Sequence, residues 1–132
     1  MGCRFPGGGS TAIVTSSPGS GGPEAIVVSS PSLSPPLDFA QVIILWFVQL
    51  LAGNTAATYK FRLRRGTAIT GTQINVDVVT NGPPVSTGAI YSGVYVDVPG
   101  AVANLQYSLG MLCAGGGTNA VINDVCMYAF AL

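Results

Sequence analysis

The sequence predicts an all-β domain, an antiparallel sandwich or barrel, entered through an extended amino-terminal arm. Three observations predict it. Short apolar runs recur along residues 38–132 between the turn signals Gly53-Asn54, Arg65-Gly66, Asn81-Gly82-Pro83-Pro84, Pro99-Gly100 and Gly115-Gly116-Gly117. No segment sustains a helical period with caps at its ends. The chain of 132 residues carries 18 glycines and 9 prolines, which punctuate strands and break helices.

Residues 1–37 come first and differ from the rest. They hold Gly7-Gly8-Gly9-Ser10, Pro18-Gly19-Ser20-Gly21-Gly22-Pro23 and Pro31-Ser32-Leu33-Ser34-Pro35-Pro36, so no helix fits there. Two β-branched patches, Thr11-Ala12-Ile13-Val14-Thr15 and Ala25-Ile26-Val27-Val28, are competent to add strands to a sheet. The segment reads as a Gly/Pro/Ser-rich arm that pairs with something else, a solvated tail being the alternative. Residues 38–132 form the domain, with strands expected at 39–51, 57–64, 73–79, 90–98, 104–113 and 119–131, and a shorter one at 67–70.

Alternation assigns the faces. Tyr59, Phe61 and Leu63 point to the core, while Lys60, Arg62 and Arg64 point away. Ile74, Val76 and Val78 are expected inside. So are Val94, Val96 and Val98, with Tyr95 and Asp97 outside. Leu105, Tyr107 and Leu109 also face in. Two strands are apolar on both parities. Strand 39–51 sets Phe39, Ile43, Leu45, Phe47 and Leu51 against Val42, Ile44, Trp46, Val48 and Leu50, and the last strand sets Val121, Val125 and Met127 against Ile122, Cys126, Tyr128, Phe130 and Leu132. A strand apolar on both faces is buried on both faces. That predicts a contact between subunits, with Val42, Ile44, Trp46, Val48, Tyr128 and Phe130 as candidate oligomer-interface residues. A fold-back of residues 1–37 over that face is the alternative.

Composition narrows the chemistry. Hydrophobic residues make up 48% of the chain and charged residues 8%, against about 25% charged in an average soluble domain. A surface so short of charge is expected to be covered by copies of the chain or by a partner. Histidine is absent, so there is no imidazole base and no His-ligated metal. Five basic residues cancel five acidic ones, which argues against general nucleic-acid binding, where affinity comes from phosphate neutralisation. Cys3, Cys113 and Cys126 form no CxxC pair. Cys113 and Cys126 read as buried small hydrophobes, with a disulfide between them as the alternative. Asn119, Asn123 and Asp124 come nearest to a calcium loop but read as turn and edge residues. No catalytic group, cofactor or metal is expected.

The apolar run of 14 residues from Phe39 to Ala52 falls short of the ~20 that a membrane-spanning helix needs. Pro6 occupies the position where a myristoylation signal wants Ser or Thr. Neither membrane insertion nor lipidation is therefore expected. One charged feature is concentrated: Lys60, Arg62 and Arg64 form a stripe about 13 Å long on one strand face, with Arg65 beside it. It reads as a solvated edge guarded against aggregation or as a docking stripe for an acidic protein surface; nucleic-acid contact is the third reading, disfavoured because no aromatics interleave on that face.

The order of features resembles a phage structural module. Its residues here are Phe61-Arg62-Leu63-Arg64-Arg65-Gly66-Thr67 with Thr70-Gly71-Thr72, then Tyr95-Val96-Asp97-Val98-Pro99-Gly100 and Tyr107-Ser108-Leu109. Gly115-Gly116-Gly117-Thr118 and Ala120-Val121-Ile122-Asn123 through Leu132 follow. The resemblance covers roughly residues 39–132. It implies a jelly-roll-like antiparallel β-sandwich of the kind found in head decoration (cement) proteins, minor capsid proteins and fibre heads, commonly trimeric. It also implies a virion protein, made in a host cytoplasm and placed on the particle surface. Its partners would be itself and a major capsid or other virion protein. A fibre head that binds a receptor or glycan is the alternative, with Tyr91, Tyr95 and Asp97 as its candidates. A self-assembling shell or filament subunit is a third reading. The arm holds a single basic residue, Arg4, which places it against protein rather than a genome.

Overall fold

A computed structural model describes residues 9–10, 23–35, 40–52, 58–81, 89–114 and 121–132. Eight strands run in order: β1 (Gly9–Ser10), β2 (Ala25–Ser29), β3 (Val42–Ala52), β4 (Thr58–Arg65), β5 (Val78–Asn81), β6 (Ala89–Asp97), β7 (Tyr107–Ala114) and β8 (Val121–Ala131). They form two four-stranded sheets of order β1-β8-β3-β6 (sheet A) and β2-β7-β4-β5 (sheet B). Every pairing is antiparallel. β1 pairs with β8, β2 with β7, β3 with β6 and β4 with β5. That is the pattern of one long hairpin folded at its middle, and β3–β8 and β4–β7 contacts then close the two sheets.

The sheets share one core. β3 sends Val42, Ile44, Trp46, Val48 and Leu50 inward, β4 sends Tyr59, Phe61 and Leu63, and β7 sends Tyr107, Leu109, Met111 and Cys113. Trp46 of sheet A packs on Phe61 of sheet B with ring centroids 5.1 Å apart, and Tyr91 packs on Phe61 at 5.5 Å. The alternation expected for β4 and for residues 105–109 is the one observed, because each of these strands has only one apolar parity to bury.

Four expectations need correction. β2 belongs to this chain's own sheet B, with Val27 and Val28 in its core, so residues 23–35 do not extend away as an arm. The rest of that arm, 1–8, 11–22 and 36–37, lies outside the described residues, apart from β1 on the edge of sheet A. The expected strand 67–70 is a turn, closed by the Gly71 amide on the Ala68 carbonyl. The expected strand 73–79 is regular only at its end. Arg64 bridges Gln73 and Phe61 pairs with Val78, so residues 74–77 bulge opposite 62–63. The Asn75 side chain takes a place in the ladder, its Oδ1 accepting from the Leu63 amide at 2.7 Å. This throws Val76 and Val78 outward, 87% and 44% exposed, and leaves Ile74 against the core.

The fourth correction concerns β6. Its register with β3 sets Asp97 opposite Val42, Tyr95 opposite Ile44 and Tyr91 opposite Val48. Tyr91, Tyr95 and Asp97 therefore share the inward face, and Ile90, Val94 and Val96 face out. In β8 the register skips residue 123 between Asp124 and Ile122, which turns Ile122 back toward the core.

Candidate interaction surface

The basic stripe is the first candidate, and the fold neutralises most of it. Arg62 and Arg64 stand on the outer face of sheet B, where Glu24, just before β2, reaches across Gly110. The Arg62 guanidinium donates to both Asp77 carboxylate oxygens, at 2.8 and 2.9 Å. Arg64 donates to Glu24 Oε2 at 2.7 Å and to the Gly71 carbonyl at 2.8 Å. Arg62 lies a further 3.7 Å from Glu24. Gln73 adds a hydrogen bond to Asp77 at 2.8 Å. The Arg62 and Gln73 hydrogen bonds hold the Asp77 carboxyl down at about 2. Three arginines of the expected docking stripe are thus ion-paired within the chain. Lys60 lies on the same face, near enough to favour the charged form of Asp77.

Arg65 does something different. Its guanidinium grips the carboxylate of Asp97 at 2.7 and 2.8 Å, and the Tyr107 hydroxyl donates to the same carboxylate at 2.8 Å. Asp97 comes from sheet A, Arg65 and Tyr107 from sheet B, so the cluster ties the two sheets together at one end. Asp97 is 7% exposed and Tyr107 fully buried. Burial alone would raise the Asp97 carboxyl, but the hydrogen bonds from Arg65 and Tyr107 outweigh it and leave it lowered. Burial, then the hydrogen bond to Asp97, raises the Tyr107 phenol. Sequence reading missed this cluster, since Asp97 sits in a strand whose valines looked like the core set.

The apolar second face is the other candidate. Of the six residues expected at an oligomer contact, Val42, Ile44, Trp46 and Val48 lie in the core between the sheets, at most 5% exposed. Tyr128 and Phe130 lie on the opposite side of sheet A, half-buried, their rings 5.3 Å apart. Their true neighbours there are the other parity of β3: Ile43 stands opposite Phe130, Leu45 opposite Tyr128 and Phe47 opposite Cys126. β6 continues this outer face with Ile90, Val94 and Val96, which are 66, 68 and 48% exposed. An apolar groove of about 450 Å³ runs here, walled by Leu45, Phe47, Val94 and Cys126. Cys113 and Cys126 are both buried, Cys113 in the inter-sheet core and Cys126 on this outer side.

The two outer faces thus differ in kind. Sheet B presents paired arginines and carboxylates, whereas sheet A presents aliphatic and aromatic side chains with few polar ones. Tyr95 and Asp97, offered as sugar-binding residues, are turned inward, and Tyr91 packs edge-on against Tyr59 and tilted against Phe61. Among the described residues no three Cys, Asp or Glu side chains converge on a point that suits a metal ion. No family model, curated protein or solved structure matches the chain.

Proposed function

We propose that the protein is a structural, non-catalytic subunit of a multi-copy shell. It would be a jelly-roll module that decorates or cements a virus particle by packing against copies of itself and against a major capsid or other virion protein. The carrying observation is the apolar outer side of sheet A, where Ile90, Val94 and Val96 stand largely exposed. Exposed apolar surface of this kind marks protein contacts. The strand order supports the jelly-roll reading, since β1-β8-β3-β6 facing β2-β7-β4-β5 is a long hairpin rolled into two sheets. Jelly rolls recur in viral capsids, lectins and cupins, so fold alone does not choose among these. The inward turn of Tyr95 and Asp97 weighs against a sugar platform, and the charge-poor surface favours a shell.

Light scattering on the full chain at micromolar concentration tests the reading. Masses that are multiples of 13.4 kDa are expected, three copies being what the resemblance implies. The double variant Ile90→Glu, Val94→Glu is expected to keep the β circular-dichroism signal and run as a monomer. A wild-type chain that stays monomeric through tens of micromolar overturns the reading.

A further inference from the structure

Among the described residues four strands lie at the sheet edges, and three of them are poor templates for another strand. β1 has two residues and β5 has four. β2 has five, with a register break between Ile26 and Val28. Short edges and bulges are how natural sheets block further pairing. β6 is the exception. It has nine residues, Ala89–Asp97, in unbroken register with β3 on one side, and no strand on its other side among the described residues. Between Ile90 and Val96 it holds no charge and no proline. Its one charge, Asp97, is turned inward onto Arg65.

The strand is also close to a palindrome. Read outward from Gly93, the inner-face residues are Tyr91 and Tyr95, and the outer-face residues are Ser92 and Val94, then Ile90 and Val96. Two antiparallel copies centred on Gly93 would set Tyr91 against Tyr95 twice and Ile90 against Val96 twice. Inner face meets inner face, and no like charges come together. Cross-strand aromatic and β-branched pairs of this kind stabilise antiparallel sheets. Exposed Val76 and Val78 lie beside β6 across the open side of the sandwich, where a groove of about 280 Å³ separates them from Val94. The apolar edge therefore spans both sheets.

We infer that β6 is an isologous docking edge that pairs antiparallel with β6 of a second copy about a two-fold axis at Gly93. Sheet A of each copy would join into one eight-stranded sheet. The inference rests on the self-association reading and names its element, and it sets pairs of copies in place of the three that the resemblance implies. Nine residues make an edge roughly 30 Å long, and two stacked sheets give it a depth of roughly 15 Å. The contact then covers about 900 Å² in total, just under the ~1,000 Å² of a stable free-standing interface. A dimer that dissociates on dilution follows, reinforced when many copies are held together.

Amide hydrogen exchange of the full chain, followed by NMR at about 5 and about 500 μM beside a mass measurement, tests this. In a free edge strand every second amide points to solvent and exchanges fast. The alternate β6 amides are expected to slow about tenfold or more at the higher concentration, as even-numbered masses appear. A chain that associates while those amides keep exchanging, or that forms only trimers, overturns the edge pairing and leaves the subunit reading standing. Protection that does not depend on concentration assigns the edge to a segment of the same chain and also overturns it. A chain that never associates overturns both.

Discussion

Asp97 holds the two sheets to one another, and its energetics set the clearest expectation for single substitutions. Removing one partner of a buried ion pair leaves an uncompensated charge and costs about 3–5 kcal/mol where both groups are sealed off. The Arg65 side chain is 37% exposed, so solvent softens the loss. Arg65→Ala is expected to lower unfolding stability by about 2–3 kcal/mol in guanidinium titrations, with Lys60→Ala changing it by less than about 0.5 kcal/mol. Acid should expose the same groups. Asp77 titrates at about 2 in the folded chain against 3.8 ordinarily, and Asp97 is lowered as well. A depressed folded value stabilises above the unfolded value and loses that contribution as pH falls through the folded one. Stability is therefore expected to hold down to about pH 4 and to fall from there toward pH 2, with Asp77→Asn flattening the fall in a pH series of unfolding midpoints. None of this was legible in the stripe Lys60, Arg62, Arg64, Arg65. The neutralising acids stand 15 to 40 residues away in the chain, and only the topology brings them in.

At the scale of the strand, legibility depended on how many parities could be buried. β4 has one apolar parity, and its cationic residues can only face out. β6 offers valines on one parity and tyrosines with Asp97 on the other. A valine stripe is the stronger core signal in isolation, but the Arg65 partner makes Asp97 cheap to bury and lets the larger aromatic area go inside. Gly93 belongs to the same inward parity and records the cost of that choice. A Cβ built there would stand 2.7 Å from the Trp46 indole, closer than real carbons approach. Gly→Ala in a strand interior ordinarily helps by about 0.5–1 kcal/mol. Here overpacking reverses the sign, and Gly93→Ala is expected to destabilise by about 1–3 kcal/mol, read as a lowered midpoint without loss of the β signal. Ser108 of β7 is the opposite case. Its hydroxyl is buried with no hydrogen-bond partner among the described residues, so Ser108→Ala is expected to be neutral or to stabilise by up to about 1 kcal/mol.

For the whole molecule, the contrast between the two outer faces sets what the proposed self-association would rest on. Three of the five basic residues and three of the five acidic ones are matched within the chain, which leaves little charge to steer or hold a contact. The doubly apolar β3 and β8 did signal a second apolar face from sequence, but not which parity formed it. Both sets are greasy, and only the β3–β6 register assigns Val42 to the inside and Ile43 to the outside. On the proposed reading, association through that outer side would be hydrophobic in origin, and that predicts its response to solvent. Sulfate, which strengthens apolar burial, is expected to tighten self-association. Raising sodium chloride from about 0.15 to about 0.5 M should leave it nearly unchanged, since screening acts on charge pairs and the three ion pairs here are made within the chain, away from that apolar side. The heat capacity of association should be negative, the mark of apolar area leaving water. Dilution calorimetry at several temperatures and salts measures all three. A steep loss of association in sodium chloride would move the contact from sheet A to the arginine face of sheet B, where part-exposed guanidinium and carboxylate groups are open to screening.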